Sequence, residues 1–219
     1  MHWDRSLPAW PGPDAGRGSA VRIGIFGGTF DPPHVGHEAA ARAVLEALDL
    51  DHLLLMVAND PWRKSPTRPI TAADDRFAMT CALCESIPGA EASRLEIDRG
   101  GPTYSIDTVE AVRDSFVGAK DPRPQIFLII GADLVGELAT WHRSAELAKV
   151  VTIVVVSRPG VEPNGAPASF EVRRIDGPEV DVSSSQIREA LVEGRSVDAW
   201  VPEAVMRCIA SHNLYAVRR

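Results

Sequence analysis

Apolar segments of strand length alternate with helix-patterned segments along this chain, and this alternation limits the fold more than any other feature. The strongest strand candidates are apolar at nearly every position, as is typical of strands buried on both faces: Val21–Phe26, Leu53–Ala58, Gln125–Gly131 and Val150–Ser157. Buried strands separated by helices indicate a parallel sheet with helices on both sides. The sequence therefore predicts a single α/β domain with a doubly wound parallel sheet.

The remaining elements follow from apolar spacing and from the turn residues that bound them. Two shorter strands are predicted at Arg94–Asp98 and Phe170–Ile175. Residues 1–20 hold three prolines and three glycines without a periodic apolar pattern, so we predict a disordered tail there and one domain over residues 21–219. Helices are predicted at Val35–Leu50, Ala72–Ile87, Ser105–Phe116, Leu134–Leu138, Ser144–Lys149, Ser184–Glu193 and Pro202–His212.

Composition argues against several kinds of partner and location. The net charge of -7 argues against nucleic acid, whose binding domains carry a basic face. No apolar run approaches the ~18 residues that a membrane span needs. Three cysteines in 219 residues cannot form an even disulfide framework. We therefore expect a cytoplasmic protein that binds neither nucleic acid nor membrane.

The first candidate site follows the first strand, because open parallel sheets bind ligands at the carboxyl ends of their strands. Residues 27–37 read GGTFDPPHVGH and lead into a predicted helix. Gly27 and Gly28 let a phosphate or ribose approach the backbone, and a helix N-terminus favours an anion. His34 and His37 are three residues apart, so we expect them to share one helix face over that anion.

Two common nucleotide-binding motifs and a zinc site fit this segment poorly. It is neither the dinucleotide-binding fingerprint nor a P-loop, because it lacks G-x-G-x-x-G and a closing G-K-[ST]. Two histidines at this spacing could bind zinc, but a structural site needs four ligands and only Asp31 lies nearby. We therefore predict no metal ligands in the protein.

A second candidate site is Ser183–Arg188, with the sequence SSSQIR. Hydroxyl residues before a helix are ordinary N-caps, and taken alone that interpretation is the stronger one. Three serines exceed what a cap requires, and the guanidinium of Arg188 on the first turn would complete an anion site. Two such sites, far apart in sequence, would suit a polyphosphate held between two helix ends.

Residues between the two motifs each allow a functional and a structural interpretation. Asp133 follows Gly131 at the end of a predicted strand and could bind a ribose hydroxyl or cap a helix. Trp141 could stack on a heteroaromatic ring or pack on the sheet. The segment Pro102–Ser105 could receive a carboxylate on its backbone N–H groups, and Lys64 could clamp a phosphate or remain solvated.

These motifs together closely resemble the bacterial nicotinate-nucleotide adenylyltransferase family. Its superfamily is marked by an H-x-G-H signature and a C-terminal S-S-[ST]-x-x-R signature, and the similarity extends over residues 21–215, to the Leu214-Tyr215 ending. The resemblance implies a Rossmann-like nucleotidyltransferase domain that transfers AMP from ATP to nicotinate mononucleotide. The products would be deamido-NAD and pyrophosphate.

The resemblance also implies roles for individual residues. His34, His37, Ser184 and Arg188 would act on the ATP phosphates, with Mg²⁺ arriving on ATP. The other ATP contacts would come from residues at the strand ends: Gly27, Gly28, Thr29, Phe30, Gly131, Asp133, Ser157 and Arg158. Nicotinate mononucleotide would contact Asp31, Lys64, Thr103, Tyr104, Ser105 and Trp141.

Alternatives remain open at this point. A nicotinamide-mononucleotide or other cofactor adenylyltransferase would use the same motifs. A catalytically silent nucleotide-binding module is a further alternative, because Pro61–Lys64 departs from the family pattern of Pro-Pro-His-Lys. Assembly into a homo-oligomer is also open.

Overall fold

The computed structural model describes residues 20–59, 70–115, 124–157, 165–177 and 180–215. Within them, six parallel strands form one sheet in the order β3-β2-β1-β4-β5-β6. Their bounds are Arg22–Gly28 (β1), His52–Val57 (β2), Ala90–Ser93 (β3), Gln125–Gly131 (β4), Thr152–Ser157 (β5) and Val172–Asp176 (β6). The order reverses between β1 and β4, which is where a sheet of this type opens a ligand crevice.

The described residues also form seven α-helices and one 3-10 helix, and α6 and α7 follow the last strand. The α-helices are Val35–Ala47 (α1), Ala73–Cys84 (α2), Leu95–Arg99 (α3), Ser105–Ser115 (α4), Ser144–Leu147 (α5), Ser184–Val192 (α6) and Glu203–Ser211 (α7). The 3-10 helix spans Ala132–Thr140, where a short helix was predicted. None of the described helices is long and apolar enough to cross a membrane.

Alternate residues of the central strands enter two separate cores, one on each face of the sheet. Leu53 and Leu55 belong to the core shared with α1, α2, α6 and α7. Leu54 and Met56 belong to the core shared with α4, α5 and the 3-10 helix. Successive side chains of a strand point to opposite faces, so a strand between two helical layers must be apolar throughout. The predicted doubly wound α/β architecture is confirmed.

One predicted element is wrong. Arg94–Asp98 was assigned to a strand, whereas the strand is Ala90–Ser93 and helix α3 follows at Leu95–Arg99. The strand is a short edge strand of small and polar residues, so it carries no apolar signal. The Arg94 Nε atom lies 2.7 Å from the Asp98 carboxylate, a pairing four residues apart that fits a helix.

Some of the sequence predictions fall outside the described ranges. These are the tail, of which residues 1–19 are not described, and the two candidate binding residues Lys64 and Arg158.

Candidate active site

The site lies at the carboxyl ends of β1, β4 and β5, where helices α1 and α6 begin. Residues 29–34 connect β1 to α1 without regular secondary structure. The Ser184 hydroxyl donates to the carbonyl of Pro32 at 2.8 Å, and Arg188 Nη1 donates to the carbonyl of Asp31 at 2.6 Å. The two motifs found in the sequence are therefore in direct contact, and both helix N-termini belong to one site.

His34 and His37 are adjacent, but not on one helix face as expected. His34 is the extended N-cap of α1, and its Nδ1 accepts from the amide of Gly36 at 3.2 Å. The amide of His34 donates to Nδ1 of His37 at 3.2 Å. Because both Nδ1 atoms are acceptors, the proton of each neutral ring lies on Nε2. The ring centroids are 3.9 Å apart, so the pair can present two N–H donors side by side.

His34 is neutral at physiological pH. The residue is buried, with 8% of its surface exposed, and burial lowers its pKa from the usual 6.5 to about 4. A neutral imidazole donates a hydrogen bond without adding charge, whereas Arg188 and the two helix N-termini can attract an anion.

Phe30 supports His37 from the core side. Its ring packs edge-on against that of His37, with centroids 5.0 Å apart, and only 1% of the residue is exposed. A Cβ on Gly28, the last residue of β1, would lie 2.6 Å from the Phe30 ring, so a larger residue there would displace the ring. Phe30 has a φ of 50°, which few non-glycine residues adopt. Its side chain lies in the core, which leaves the backbone for contact with a ligand.

Each serine of the second motif has a different partner. The Ser183 hydroxyl accepts from the amide of Gln186, whose side chain accepts in turn from the Ser183 amide, which forms a capping box. The Ser184 hydroxyl donates to the Pro32 carbonyl, and the Ser185 hydroxyl accepts from Arg188 Nη2 at 3.0 Å. The cap thus accounts for one serine, and the other two position the loop and the guanidinium.

The candidate ATP contacts on β4 and β5 line the same edge of the sheet. Gly131 ends β4 and is exposed, and the carboxylate of Asp133 folds back over it. Asp133 lies inside the 3-10 helix rather than at its N-cap, so it does not cap the helix. Ser157 ends β5, is buried, and accepts from Arg174 Nε at 3.1 Å.

The candidate acceptor-side residues lie between α4 and the end of the 3-10 helix. Tyr104 and Ser105 precede and open α4, and the Tyr104 ring lies 4.3 Å from that of His142. Trp141 packs half-buried against the core and ends the 3-10 helix. Arg143 ties this segment to α4 by two bonds to the Glu110 carboxylate, at 2.8 and 2.9 Å. His142 was not predicted, and its contact with Tyr104 makes it part of this surface.

Asp31 was predicted to contact nicotinate mononucleotide, but its side chain points into the protein. It is 1% exposed, and its Oδ1 accepts from the Tyr215 hydroxyl at 2.7 Å.

A buried carboxyl group, Glu96, lies behind the acceptor-side residues. Thr108 donates to its Oε1 at 2.6 Å, and Arg99 donates to the Thr108 hydroxyl at 3.2 Å. Burial raises the pKa of Glu96 from 4.5 to about 7, although the Thr108 hydrogen bond and the Arg99 charge oppose the shift. Glu96 therefore changes charge near neutral pH, next to the segment that begins α4.

Arg76 on α2 is a buried cation that sequence reasoning missed. It is 1% exposed and donates to the carbonyls of Thr29 at 2.9 Å, Asn59 at 3.1 Å and Thr71 at 2.8 Å. It therefore joins the loop after β1 to both ends of the segment that contains Lys64. The available signal was its place on the same helix face as Met79, a core residue three positions later.

Comparison with known proteins shows which class of enzyme this fold and this site belong to. The family of cytidylyltransferase-like proteins matches residues 25–190. A Plasmodium falciparum nicotinic acid mononucleotide adenylyltransferase complexed with NaAD shares the fold, with a TM-score of 0.72 at 16% identity over 89% of this chain and 97% of that one. The fold and the joined motifs thus define a nucleotidyltransferase.

Sequence relatives are more specific. A Thermus thermophilus protein named "Probable nicotinate-nucleotide adenylyltransferase" is 43% identical over 89% of this chain and 100% of its own length. A Corynebacterium kroppenstedtii protein of the same name is 38% identical over 89% of this chain and 90% of its own. The chain belongs to the nicotinate-nucleotide adenylyltransferase family, and it is an enzyme of NAD biosynthesis.

Replacing Arg76 should loosen the site and the fold together. In Arg76→Lys the ammonium cannot reach all three carbonyls, and each lost hydrogen bond from a charged donor costs about 1.5–3 kcal/mol. We expect the free energy of unfolding to fall by about 2–4 kcal/mol and kcat/KM to fall with it. Urea unfolding and steady-state rates measure both. The control is Arg207→Lys on α7, where Arg207 pairs at 2.8 Å with exposed Glu203. Equal stability of the two variants would contradict the role of Arg76.

Glu96 should make stability fall as pH rises toward neutrality. Its pKa is near 4.5 when unfolded and about 7 when folded, so the folded state binds more protons between these values. The free energy of unfolding then falls over that window, by about 3 kcal/mol for the full shift. Glu96→Gln keeps a hydrogen-bond acceptor for Thr108 but has no carboxyl group that can ionise.

The measurement is the difference in unfolding free energy between wild type and Glu96→Gln, near pH 5 and near pH 8. His34 contributes equally to both chains and cancels in this difference. The control, Glu189→Gln on an exposed position of α6, should follow the wild type. A difference that does not change with pH would contradict the assignment.

Proposed function

We propose that this site transfers AMP from ATP to nicotinate mononucleotide and releases pyrophosphate. The observation that carries the proposal is the contact of α6 with the loop before α1, through Ser184 and Arg188. It brings together a histidine pair, a guanidinium and two helix N-termini, which would form one anion site. Family membership supports the reaction.

The reaction needs no activated side-chain nucleophile. A phosphate oxygen of nicotinate mononucleotide attacks the α-phosphorus of ATP, the new P–O bond forms, and the bond to the bridging oxygen of pyrophosphate breaks. Negative charge on the phosphate oxygens grows in the transition state, so catalysis depends on positioning and electrostatic stabilisation. His34 and His37 would donate from Nε2, and Arg188 would supply fixed positive charge.

The Arg188 guanidinium is already held by Asp31 and Ser185. Such a preorganised group loses little on reorganisation when substrate arrives. The Ser184 hydroxyl would act by holding the loop at Pro32. Gly27, Thr29, Gly131, Asp133 and Ser157 would line the nucleoside side of ATP, joined by Gly28 and the Phe30 backbone and, outside the described residues, by Arg158.

ATP would bring Mg²⁺ with it. Within the described residues no group of three or more His, Cys, Asp or Glu could hold an ion, so phosphate oxygens and water would supply most of its ligands. When bound, the ion would neutralise charge on the leaving pyrophosphate.

The acceptor would bind between α4 and the 3-10 helix. Backbone N–H groups near Thr103, Tyr104 and Ser105 would receive the nicotinate carboxylate at the start of α4. Trp141 would stack on the pyridine ring, and Lys64 would meet the mononucleotide phosphate.

The cellular setting is also proposed. The three cysteines are free thiols, which fits a cytoplasmic enzyme. The chain would work with these two nucleotides and without nucleic acid, as a monomer or as a homo-oligomer.

Loss of the His37 ring should slow the chemical step. His37→Ala removes one transition-state donor, which lowers kcat by roughly 10²–10³. Pyrophosphate release with ATP, Mg²⁺ and nicotinate mononucleotide measures this rate. His212→Ala is the matched control, because that ring, at the end of α7, pairs with Asp75 of α2 at 2.7 Å, outside the site. Turnover near the wild-type level in His37→Ala would contradict the assignment.

The acid acceptor should be preferred over its amide. Nicotinamide mononucleotide lacks the carboxylate and loses a charge-assisted hydrogen bond, which reduces kcat/KM by roughly 10- to 100-fold. Competition between the two mononucleotides in one reaction gives this ratio directly. A ratio near one would favour a nicotinamide-accepting enzyme, and absence of pyrophosphate release with either would favour a silent nucleotide-binding module.

A further inference from the structure

Asp31 places a carboxylate in the interior of the loop that leads to the histidine pair. The residue is 1% exposed, and a buried carboxylate is stable only when hydrogen bonds replace the water that it has lost. The Tyr215 hydroxyl donates to its Oδ1 at 2.7 Å, across a sequence separation of 184 residues. The contact therefore joins the loop after β1 to the C-terminal segment.

The end of α7 directs Tyr215 toward this loop. The amide of Leu214 donates to the carbonyl of Ile209 at 3.0 Å, and that of Asn213 donates to the carbonyl of Ala210 at 3.3 Å. These two bonds define a Schellman ending, and Asn213 adopts the left-handed φ, 52°, that it requires. The chain turns back over the helix end, and Tyr215 packs against the core.

The Tyr215 hydroxyl stays protonated. Burial, and then the negative charge of Asp31, raise the pKa of the phenol. It therefore donates to the carboxylate at every pH at which the enzyme would be assayed.

Three donors converge on two consecutive residues of the loop. Tyr215 binds the Asp31 side chain, Arg188 binds the Asp31 carbonyl and Ser184 binds the Pro32 carbonyl. His34, which hydrogen-bonds to His37, follows two residues later. The position of the histidine pair therefore depends on how firmly residues 31 and 32 are held.

We propose that Tyr215 is a positioning residue for AMP transfer, which holds Asp31 so that the loop presents His34 and His37 to the triphosphate. This role rests on the function proposed above. Small displacements of aligned groups weaken transition-state stabilisation more than ground-state binding. Loss of the hydroxyl should therefore lower kcat and leave the KM for ATP nearly unchanged.

The test is Tyr215→Phe, which keeps the packed ring and removes the donor. We expect kcat per ATP-competent site to fall about 10-fold and the KM for ATP to change by less than about threefold. The number of competent sites is measured as the stoichiometry of ATP binding, so that unfolded chains are not counted as slow enzyme. If the variant is less stable, binding and turnover are both measured at reduced temperature. Ser211→Ala is the control, because it removes a hydroxyl of the same C-terminal helix that bonds to the carbonyl of Cys208; it should retain wild-type kcat.

A double-mutant cycle tests whether Tyr215 acts through Asp31. Asp31→Asn removes the charge and retains a side-chain oxygen. Loss of the Tyr215 hydroxyl should therefore lower kcat less in this variant than in the wild type. We expect Tyr215→Phe to lower kcat by less than about threefold in that background. An equal factor in both backgrounds, or an unchanged kcat per competent site in Tyr215→Phe alone, overturns the positioning role. A wild-type enzyme that releases no pyrophosphate overturns the proposed function as well, which distinguishes the two failures.

Discussion

The site depends on how the backbone of the loop between β1 and α1 is satisfied. Residues 29–33 of this loop lie outside strand and helix, and unpaired buried carbonyls are costly. Side chains from distant helices supply the donors: Arg76 for Thr29, Arg188 for Asp31 and Ser184 for Pro32. The position of the first histidine is therefore set by residues of α2 and α6, so packing this helical layer onto the sheet also assembles the site.

Hydrogen bonds and burial in the same region also determine which side chains of the site are charged. The two histidines accept backbone hydrogen bonds at Nδ1, and burial keeps His34 neutral. Arg188 supplies positive charge, and its two terminal nitrogens donate to the Asp31 carbonyl and to the Ser185 hydroxyl. In the proposed reaction, the histidines would donate hydrogen bonds without charge and Arg188 would supply the positive charge, which suits a reaction that builds negative charge and needs no proton transfer to a side chain.

Sequence patterns predicted the architecture and the two motifs because both are local or periodic signals. Strands that are apolar throughout require a helical layer on each face of the sheet. The start of α6 has three serines, which is more than an N-cap needs, and this excess indicated a binding site. Arg76 offered only its place on the core face of α2, and Tyr215 offered no signal, because one polar residue on an apolar helix face, or one tyrosine 184 residues from its partner, has meaning only after folding. For the same reason Asp31 was assigned to the acceptor, although its carboxylate lies inside the protein.

The two halves of the site respond differently to protons. On the phosphate side, the His34 pKa of about 4 keeps the ring neutral through the physiological range. On the acceptor side, Glu96 has a pKa of about 7 and is hydrogen-bonded to Thr108, one turn after Tyr104 on the same helix. Ionisation of Glu96 changes the charge behind the start of α4, where a carboxylate would bind. A rise in pH near neutrality therefore adds negative charge behind the start of α4, whereas the ring of His34 is already neutral there.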